Sequence, residues 1–175
     1  MTACAECGLD YESMPVPEAI AAIRGFGRRY RAPLTRLLPG EDDSVLRARP
    51  APGTWSALEY AAHVRDVFSW YDERIRRSLA EDRPVIEDPA TPNDAAQAGH
   101  YNEEDPAAVV DRIAANAERL AATIEAVPAD ALDRSHRIRG EERSVRFTAR
   151  RAVHEGSHHI LDVGRGLRML RAARQ

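Results

Sequence analysis

The stretch SALEYAAHVRDVFSWYDERIRRSLAE, residues 56–81, contains the clearest helix signal in the chain. Ser56 followed by Glu59 is a capping-box pattern, in which each side chain binds the backbone N–H of the other and fixes the first turn. Apolar residues then recur at intervals of three and four, which is typical of a helix that buries one face. The sequence therefore predicts a helix over residues 56–81.

Three further segments show the same periodicity. Residues 17–38 form the first predicted helix, which Pro33 is expected to kink or split because proline lacks the N–H that a helix interior needs. Residues 105–127 form the third, with Asp105 as its N-cap. The fourth runs from about residue 147 to residue 173. Four amphipathic helices with few strand signals predict an all-α protein, a four-helix bundle.

The remaining segments are polar and rich in turn-forming residues. Residues 1–16 are expected to be a short N-terminal extension, and residues 17–175 the bundle itself. The link 82–104 is long for a structureless connection, so we expect a functional loop or a partly ordered crossover there. Residues 136–146 are expected to form a short extended arm, with a hairpin as the alternative.

The composition excludes several kinds of chemistry. All 25 basic residues are arginine, so neither a Schiff-base lysine nor a phosphate-binding P-loop lysine is possible. Arginines scattered among acids at a net charge of −3 argue against a nucleic-acid partner. No apolar run is long enough to cross a bilayer, so no membrane partner is expected. The first residues lack the basic and apolar regions of a signal peptide, and we expect a cytoplasmic location.

Histidines are the candidate metal ligands. His154 and His158 are i,i+4 neighbours on the fourth helix, so their imidazoles can reach the same ion. They share a helix face with the apolar Leu161, which suggests that this face is the buried one. His63 lies at the edge of the apolar face of the second helix and is the candidate third ligand. The alternative for His63 is a core histidine satisfied by ordinary hydrogen bonds.

Two neighbours of this histidine pair, Glu155 and His159, are expected to lie on other faces of the helix. Each residue of a helix is rotated by about 100° from the one before it. Glu155 therefore lies about 100° around the helix from His154, and His159 lies about 140° from it. We expect Glu155 to face solvent, with orientation of a metal ligand as the alternative. We expect His159 to be solvated, or to hydrogen-bond to a metal ligand without binding the ion itself.

Cys4 and Cys7 form a C-x-x-C pattern followed by glycine. Two thiolates at this spacing are half of a zinc knuckle, and the remaining ligands would have to be His100, His136, His159 or groups of a second subunit. The alternative is a reduced cysteine pair in a mobile tail. A thioredoxin-type redox pair is disfavoured because no strand precedes the motif.

The segments GTWSALEYAAHVRD (53–66) and AVHEGSHHILDVGRGL (152–167) together resemble the DinB-like superfamily. This superfamily includes the N-terminal domains of mycothiol-dependent maleylpyruvate isomerases and thiol S-transferases that use mycothiol or bacillithiol. The matching features are Trp55 and Ser56 at the start of the second helix, His63 inside it, and H-x-x-x-H on the last helix. The resemblance implies a four-helix bundle with up-down-down-up connectivity.

The resemblance also implies a metal ion held by His63, His154 and His158, with zinc as the first choice and nickel as the second. The co-substrate would be a low-molecular-weight thiol such as mycothiol, whose thiolate attacks a small electrophile. Arg150 and Arg165, near the same helix face, are the candidate catalytic residues because they could bind a carboxylate.

The expected function is therefore a zinc-dependent thiol S-transferase acting on small molecules. Two alternatives stay open: a metal-binding bundle without turnover, acting as a stress-linked sensor or interaction module, and a metal-dependent hydrolase. A homodimer is a possible assembly.

Overall fold

The computed structural model describes residues 3–87 and 91–174. Four long helices form the body of the molecule: α1 (Val16–Thr35), α3 (Ala57–Ala80), α5 (Pro106–Glu125) and α6 (Val145–Ala172). The shorter elements lie in the connections: α2 (Ser44–Arg47), α4 (Pro92–Ala98), 3-10 turns at Tyr101–Glu103 and Ala129–Ala131, and strands β1 (Ser135–Ile138) and β2 (Glu141–Ser144).

The predicted four-helix bundle is confirmed. Helices α1 and α3 each pack against both α5 and α6 and barely touch one another. The first two long helices of the chain therefore lie diagonally across the bundle, which requires the long connection over residues 36–56. Among the described residues, no helix combines the length and the apolarity that crossing a membrane would need.

Three of the four long helices, α3, α5 and α6, begin at a residue whose side chain caps the first turn. Ser56 Oγ accepts from Glu59 N at 3.1 Å, and the Glu59 carboxylate accepts from Ser56 N at 2.8 Å, which completes the predicted capping box. Asp105 accepts from Ala108 N at 2.9 Å at the start of α5. Ser144 caps α6, which begins two residues earlier than predicted.

Pro33 does not kink or split α1 in the middle. It lies inside the last turn of the helix, which runs over Val16–Thr35 without a break. Only two helical residues follow Pro33, so its missing N–H removes a single hydrogen bond near the end of the helix and leaves little helix beyond it to bend. Helix α1 ends at Thr35, before the predicted residue 38.

Strands β1 and β2 form the hairpin that was the alternative for residues 136–146, and it begins one residue earlier, at Ser135. Its two turn residues, Arg139 and Gly140, have φ values of +52° and +79°, as a tight type I′ turn requires. His136 lies in β1, and its buried ring hydrogen-bonds to Ser78 Oγ at 3.1 Å.

The long link 82–104 is partly ordered, in line with the predicted crossover. Ile86 N donates to the Arg137 carbonyl at 2.8 Å, which attaches the link to the hairpin. Helix α4 occupies Pro92–Ala98, and residues 88–90 of the link lie outside the described part of the chain.

The described part of the N-terminal extension is a compact turn that lies against α6. Gly8 N donates to the Cys4 carbonyl at 2.8 Å, and Cys4 N donates to the Leu9 carbonyl at 3.1 Å. Gly8 has a φ of +71°, a conformation that glycine adopts without steric cost. The ring of Tyr11 lies 4.8 Å from the ring of His154 on α6.

Candidate metal centre

The structure forms groups of possible metal ligands along α6, in which one ligand atom of each residue lies within 4.8 Å of all the others. We call the first of these the inner cluster: His63, Glu155 and His159. We call the second the outer cluster: Cys4, Cys7, His154 and His158. A third group, which shares residues with both, is His158, His159 and Asp162.

The predicted set of His63, His154 and His158 is therefore divided between two clusters. His63 lies with Glu155 and His159, and the two other histidines lie with cysteines of the N-terminal extension. The structure does not bring the three predicted ligands together within the same distance. The expectation that Glu155 faces solvent is wrong, because this residue is buried.

The buried face of α6 differs from the predicted one because of the residues that this helix uses for packing. Leu161, which was expected to mark the buried face, is 41% exposed. The face that packs into the bundle carries smaller buried residues: Ala149, Ala152, Gly156 and Val163. At Gly156 an added Cβ would lie 2.5 Å from the ring of Phe26, so the two helices approach closely at this point.

Helix geometry and capping position the inner cluster. Glu155 and His159 are four residues apart on α6, so both side chains point to the same side. His63 lies two turns into α3, whose first turn is held by the capping box of Glu59. Glu59 is in turn fixed by Arg49, whose Nε donates to its carboxylate at 2.9 Å.

The carboxylate of Glu155 lies between the two imidazoles of the inner cluster. Its Oε2 is 3.3 Å from His159 Nε2 and 3.9 Å from His63 Nε2. Arg151 binds the other oxygen, Oε1, at 2.7 Å and so fixes the orientation of the carboxylate. Asp162 Oδ2 lies 3.0 Å from His159 Nδ1, which turns the Nε2 of that ring towards Glu155.

Aromatic rings surround the inner cluster. The ring of Trp55 lies 5.3 Å and that of Trp70 lies 6.3 Å from the imidazole of His63, and Tyr60 stacks on His159 at 5.3 Å. The Nδ1 atom of His63 is buried and has no hydrogen-bond partner among the described residues. His63 is thus not the satisfied core histidine that was the alternative interpretation.

The charges of the inner cluster favour a cation. Burial alone would raise the pKa of Glu155, but the imidazoles of His154, His159 and His63, together with Arg151, hold it well below its usual range. Burial alone would lower the pKa of His159, but Asp162 and Glu155 raise it to about 9. A positive charge at His159 Nε2, from a proton or from a metal ion, is therefore stabilised by two carboxylates.

A pocket of about 470 Å³ opens beside the inner cluster, whose three residues form part of its wall. Its aromatic lining consists of Trp55, Trp70, Tyr71 and Phe147. Its cationic lining consists of Arg74, Arg139, Arg143 and Arg151. The pocket is therefore suited to a small molecule that carries negative charge.

The predicted catalytic residues Arg150 and Arg165 are not among the residues that line this pocket. Arg150 Nε donates to the Met14 carbonyl at 2.7 Å, and Arg165 Nη2 donates to the Glu6 carbonyl at 3.0 Å. Both arginines hold the N-terminal extension on α6. Among the arginines of α6, Arg151 is the one that lines the pocket, and it lies one helical turn before Glu155.

The sequence contains a signal for the inner cluster. Arg151, Glu155 and His159 are spaced by four residues each, a pattern that places a guanidinium, a carboxylate and an imidazole on one helix face. The same helix also carries the H-x-x-x-H pattern of His154 and His158, which is typical of helical metal sites and favours the other grouping.

Comparison with known proteins agrees with this fold. A family model described as the DinB superfamily matches residues 27–163. Among solved structures, the chain is similar to YfiT from Bacillus subtilis, described as a probable metal-dependent hydrolase with an unusual four-helix bundle topology. The TM-score is 0.80 over 91% of each chain, at 17% sequence identity. No curated protein matched the sequence. Since the family model covers most of its length, the chain belongs to the DinB superfamily.

Proposed function

We propose that this protein is a metal-dependent enzyme that uses the inner cluster to hold its ion and the arginine-lined pocket to hold a small anionic reactant. One observation is the main support for this proposal. Two imidazole nitrogens face the same carboxylate oxygen, at 3.3 and 3.9 Å, in the wall of a pocket of about 470 Å³.

The donor set fits a divalent ion. Nitrogen and oxygen ligands at about 2.0–2.2 Å from a tetrahedral zinc ion lie roughly 3.4 Å from each other. The separation of 3.3 Å between His159 and Glu155 matches this value, and the 3.9 Å from His63 is slightly longer. Two histidines and one carboxylate leave a coordination position open, as catalytic zinc sites do. Zinc is the first candidate and nickel the second.

The bound ion would supply a nucleophile at neutral pH, by lowering the pKa of a thiol or a water molecule that it coordinates. The chain's own residues orient the ligands and bind the reactant. Arg151 keeps Glu155 ionised and oriented, and Asp162 fixes the ring of His159. The planar guanidinium groups that line the pocket match the carboxylate of a reactant, while Trp55 and Trp70 restrict access of water to the cluster.

We further propose that the nucleophile is a low-molecular-weight thiol such as mycothiol and that the acceptor is a small electrophile. The cationic lining of the pocket supports this assignment, because it suits an anionic thiol or acceptor. The second candidate is hydrolysis, which is favoured by the description of the similar YfiT as a probable metal-dependent hydrolase.

The test compares wild type with His63→Ala, Glu155→Gln and, as a matched control, His100→Ala. His100 is exposed and lies outside both clusters. We expect the two inner variants to bind one metal ion fewer per chain than wild type and the control, by elemental analysis. Consumption of mycothiol with a bimane electrophile should fall at least about a hundredfold in both, since each loses a direct ligand.

Unchanged metal content in both inner variants would contradict the metal site. Hydrolysis of carboxylate-bearing esters without added thiol, measured on the same four proteins, separates the two reactions. Thiol consumption that depends on His63 and Glu155 supports the transferase. Ester hydrolysis with the same dependence, and no thiol consumption, overturns the transferase in favour of the hydrolase.

A further inference from the structure

The proposed function makes no use of the outer cluster. Its two cysteines lie in the N-terminal turn, and its two histidines lie on the side of α6 that faces this turn. Cys4 and His158 are 154 positions apart in the sequence, yet Cys4 Sγ lies 3.6 Å from His158 Nδ1. Four groups with metal-binding chemistry therefore meet only because the extension docks on α6.

We propose that the outer cluster is a second, closed zinc site of the Cys2His2 type, which fastens the N-terminal extension to α6. Two thiolates and two imidazoles complete the four ligands that zinc takes in structural sites and leave no open position. The site is separate from the proposed catalytic one and has a structural role.

The distances support this assignment. A tetrahedral zinc ion with sulfur at about 2.3 Å and nitrogen at about 2.0 Å holds the two ligand atoms roughly 3.6 Å apart. The 3.6 Å between Cys4 Sγ and His158 Nδ1 agrees with this value. All four residues offer ligand atoms within 4.8 Å of one another, so only small movements are needed to close the site.

The surroundings of the two histidines are those of metal ligands. His158 Nε2, the nitrogen that does not face Cys4, lies 3.2 Å from Glu6 Oε2 and 3.6 Å from Asp162 Oδ2. A carboxylate on the far nitrogen is the usual means of orienting a ligating imidazole. His154 is buried, and its Nδ1 has no hydrogen-bond partner among the described residues.

The backbone presents the two cysteines in a chelating turn. The bond from Gly8 N to the Cys4 carbonyl, at 2.8 Å, closes the turn that contains both thiols. Arg150 and Arg165 hold the segment on α6 through its carbonyls, which places the thiols over the histidines. The N-terminal segment is thus arranged as half of a zinc knuckle, and α6 supplies the other half.

Cobalt(II) provides a direct test on the full-length, reduced and metal-stripped protein, because thiolate ligands give cobalt an intense charge-transfer absorption in the near ultraviolet. We expect wild type and His63→Ala to develop this band, and zinc to displace it. Cys7→Ser and His158→Asn should lose the band. Far-ultraviolet circular dichroism should show that all variants keep the helical bundle.

Absence of the band in reduced wild type would overturn the proposal, as would its persistence in both Cys7→Ser and His158→Asn. Hydrogen exchange of residues 3–14 gives an independent readout: zinc should slow exchange in wild type and His63→Ala but not in Cys7→Ser. The two proposals can be contradicted independently. The activity of His63→Ala tests the inner site, and the cobalt absorption spectrum of Cys7→Ser tests the outer site.

Discussion

His154 and Glu155 are adjacent residues that belong to different clusters. Consecutive residues of a helix point about 100° apart, and here this angle separates the N-terminal extension from the interior of the bundle. His154 contacts Tyr11 of the extension, whereas Glu155 lies between His63 and His159. One turn of α6 therefore contributes a residue to each cluster.

His136 provides a prediction about stability at acid pH. Burial, with the charges of Arg74, Arg143 and Arg77, lowers the pKa of His136 to about 4. The folded state keeps this ring neutral, while the unfolded chain takes up a proton below about pH 6.5. Stability is therefore lost as the pH falls from about 6.5 towards 4. We expect a loss of about 1–2 kcal/mol between pH 7.5 and 5 from this residue, measured by urea unfolding.

The matched comparison uses His136→Gln, which cannot titrate, and the exposed His100→Gln as control. His136→Gln should lose less stability than wild type over this pH range, and His100→Gln should follow wild type. An equal loss in wild type and His136→Gln would show that His136 is not the source of the pH dependence.

At the scale of elements, small residues set the distances between helices. Gly27 on α1 faces α5 so closely that an added Cβ would lie 2.6 Å from Ala114 Cβ and 2.9 Å from its Cα. Gly25, two residues earlier, has nothing within 4 Å of the same position. Two glycines in one helix therefore stand in opposite environments, one at a helix contact and the other in open space.

We expect Gly27→Ala to destabilise the protein by about 1–3 kcal/mol, because the methyl group forces α1 away from the backbone of α5. Gly25→Ala should instead raise stability by up to about 1 kcal/mol, since alanine favours the helix. Urea unfolding monitored by circular dichroism measures both changes. Destabilisation of equal size in the two variants would argue against a close helix contact at Gly27.

At the scale of the whole molecule, segments distant in sequence meet around α6. The pocket combines α3, α6 and the turn of the β-hairpin, and the outer cluster combines α6 with the first residues of the chain. A ligand bound at either place would connect elements that separate on unfolding. Both proposed metal sites should therefore contribute to the stability of the whole fold.

We expect zinc to raise the melting temperature of metal-stripped wild type in a concentration-dependent way. An ion at about 100 times its Kd adds about 2.7 kcal/mol at each site that exists only in the folded state. Each site therefore corresponds to a rise of roughly 5–10 °C for a domain of this size, and the two sites of wild type together to about twice that rise. Differential scanning calorimetry of a His63→Ala, Cys7→Ser double variant should show almost no rise.

Magnesium serves as the ion control, because it prefers oxygen ligands and should leave the melting temperature of wild type unchanged. A zinc-dependent rise of the same size in the double variant would assign the effect to some other part of the protein.

Local patterns in the sequence predicted most of the fold. The capping box of Ser56 and Glu59 and the cap at Asp105 act within a few residues, so their hydrogen bonds follow from the sequence. The same reasoning grouped His63 with His154 and His158, which the structure places in different clusters. The large Leu161 predicts the wrong buried face of the last helix, because the bundle packs on smaller residues such as Gly156.

The sequence by itself determined the four helices, their starting points, the family and the choice of histidines as candidate ligands, because periodicity and capping are short-range properties. Only the tertiary structure decided which of these histidines meet. His63 faces Glu155 and His159 because of how closely α3 and α6 pack, and His154 and His158 face cysteines because a segment from the far end of the chain docks there. Such contacts join residues that are distant in the sequence, so the residue spacing within one helix cannot predict them.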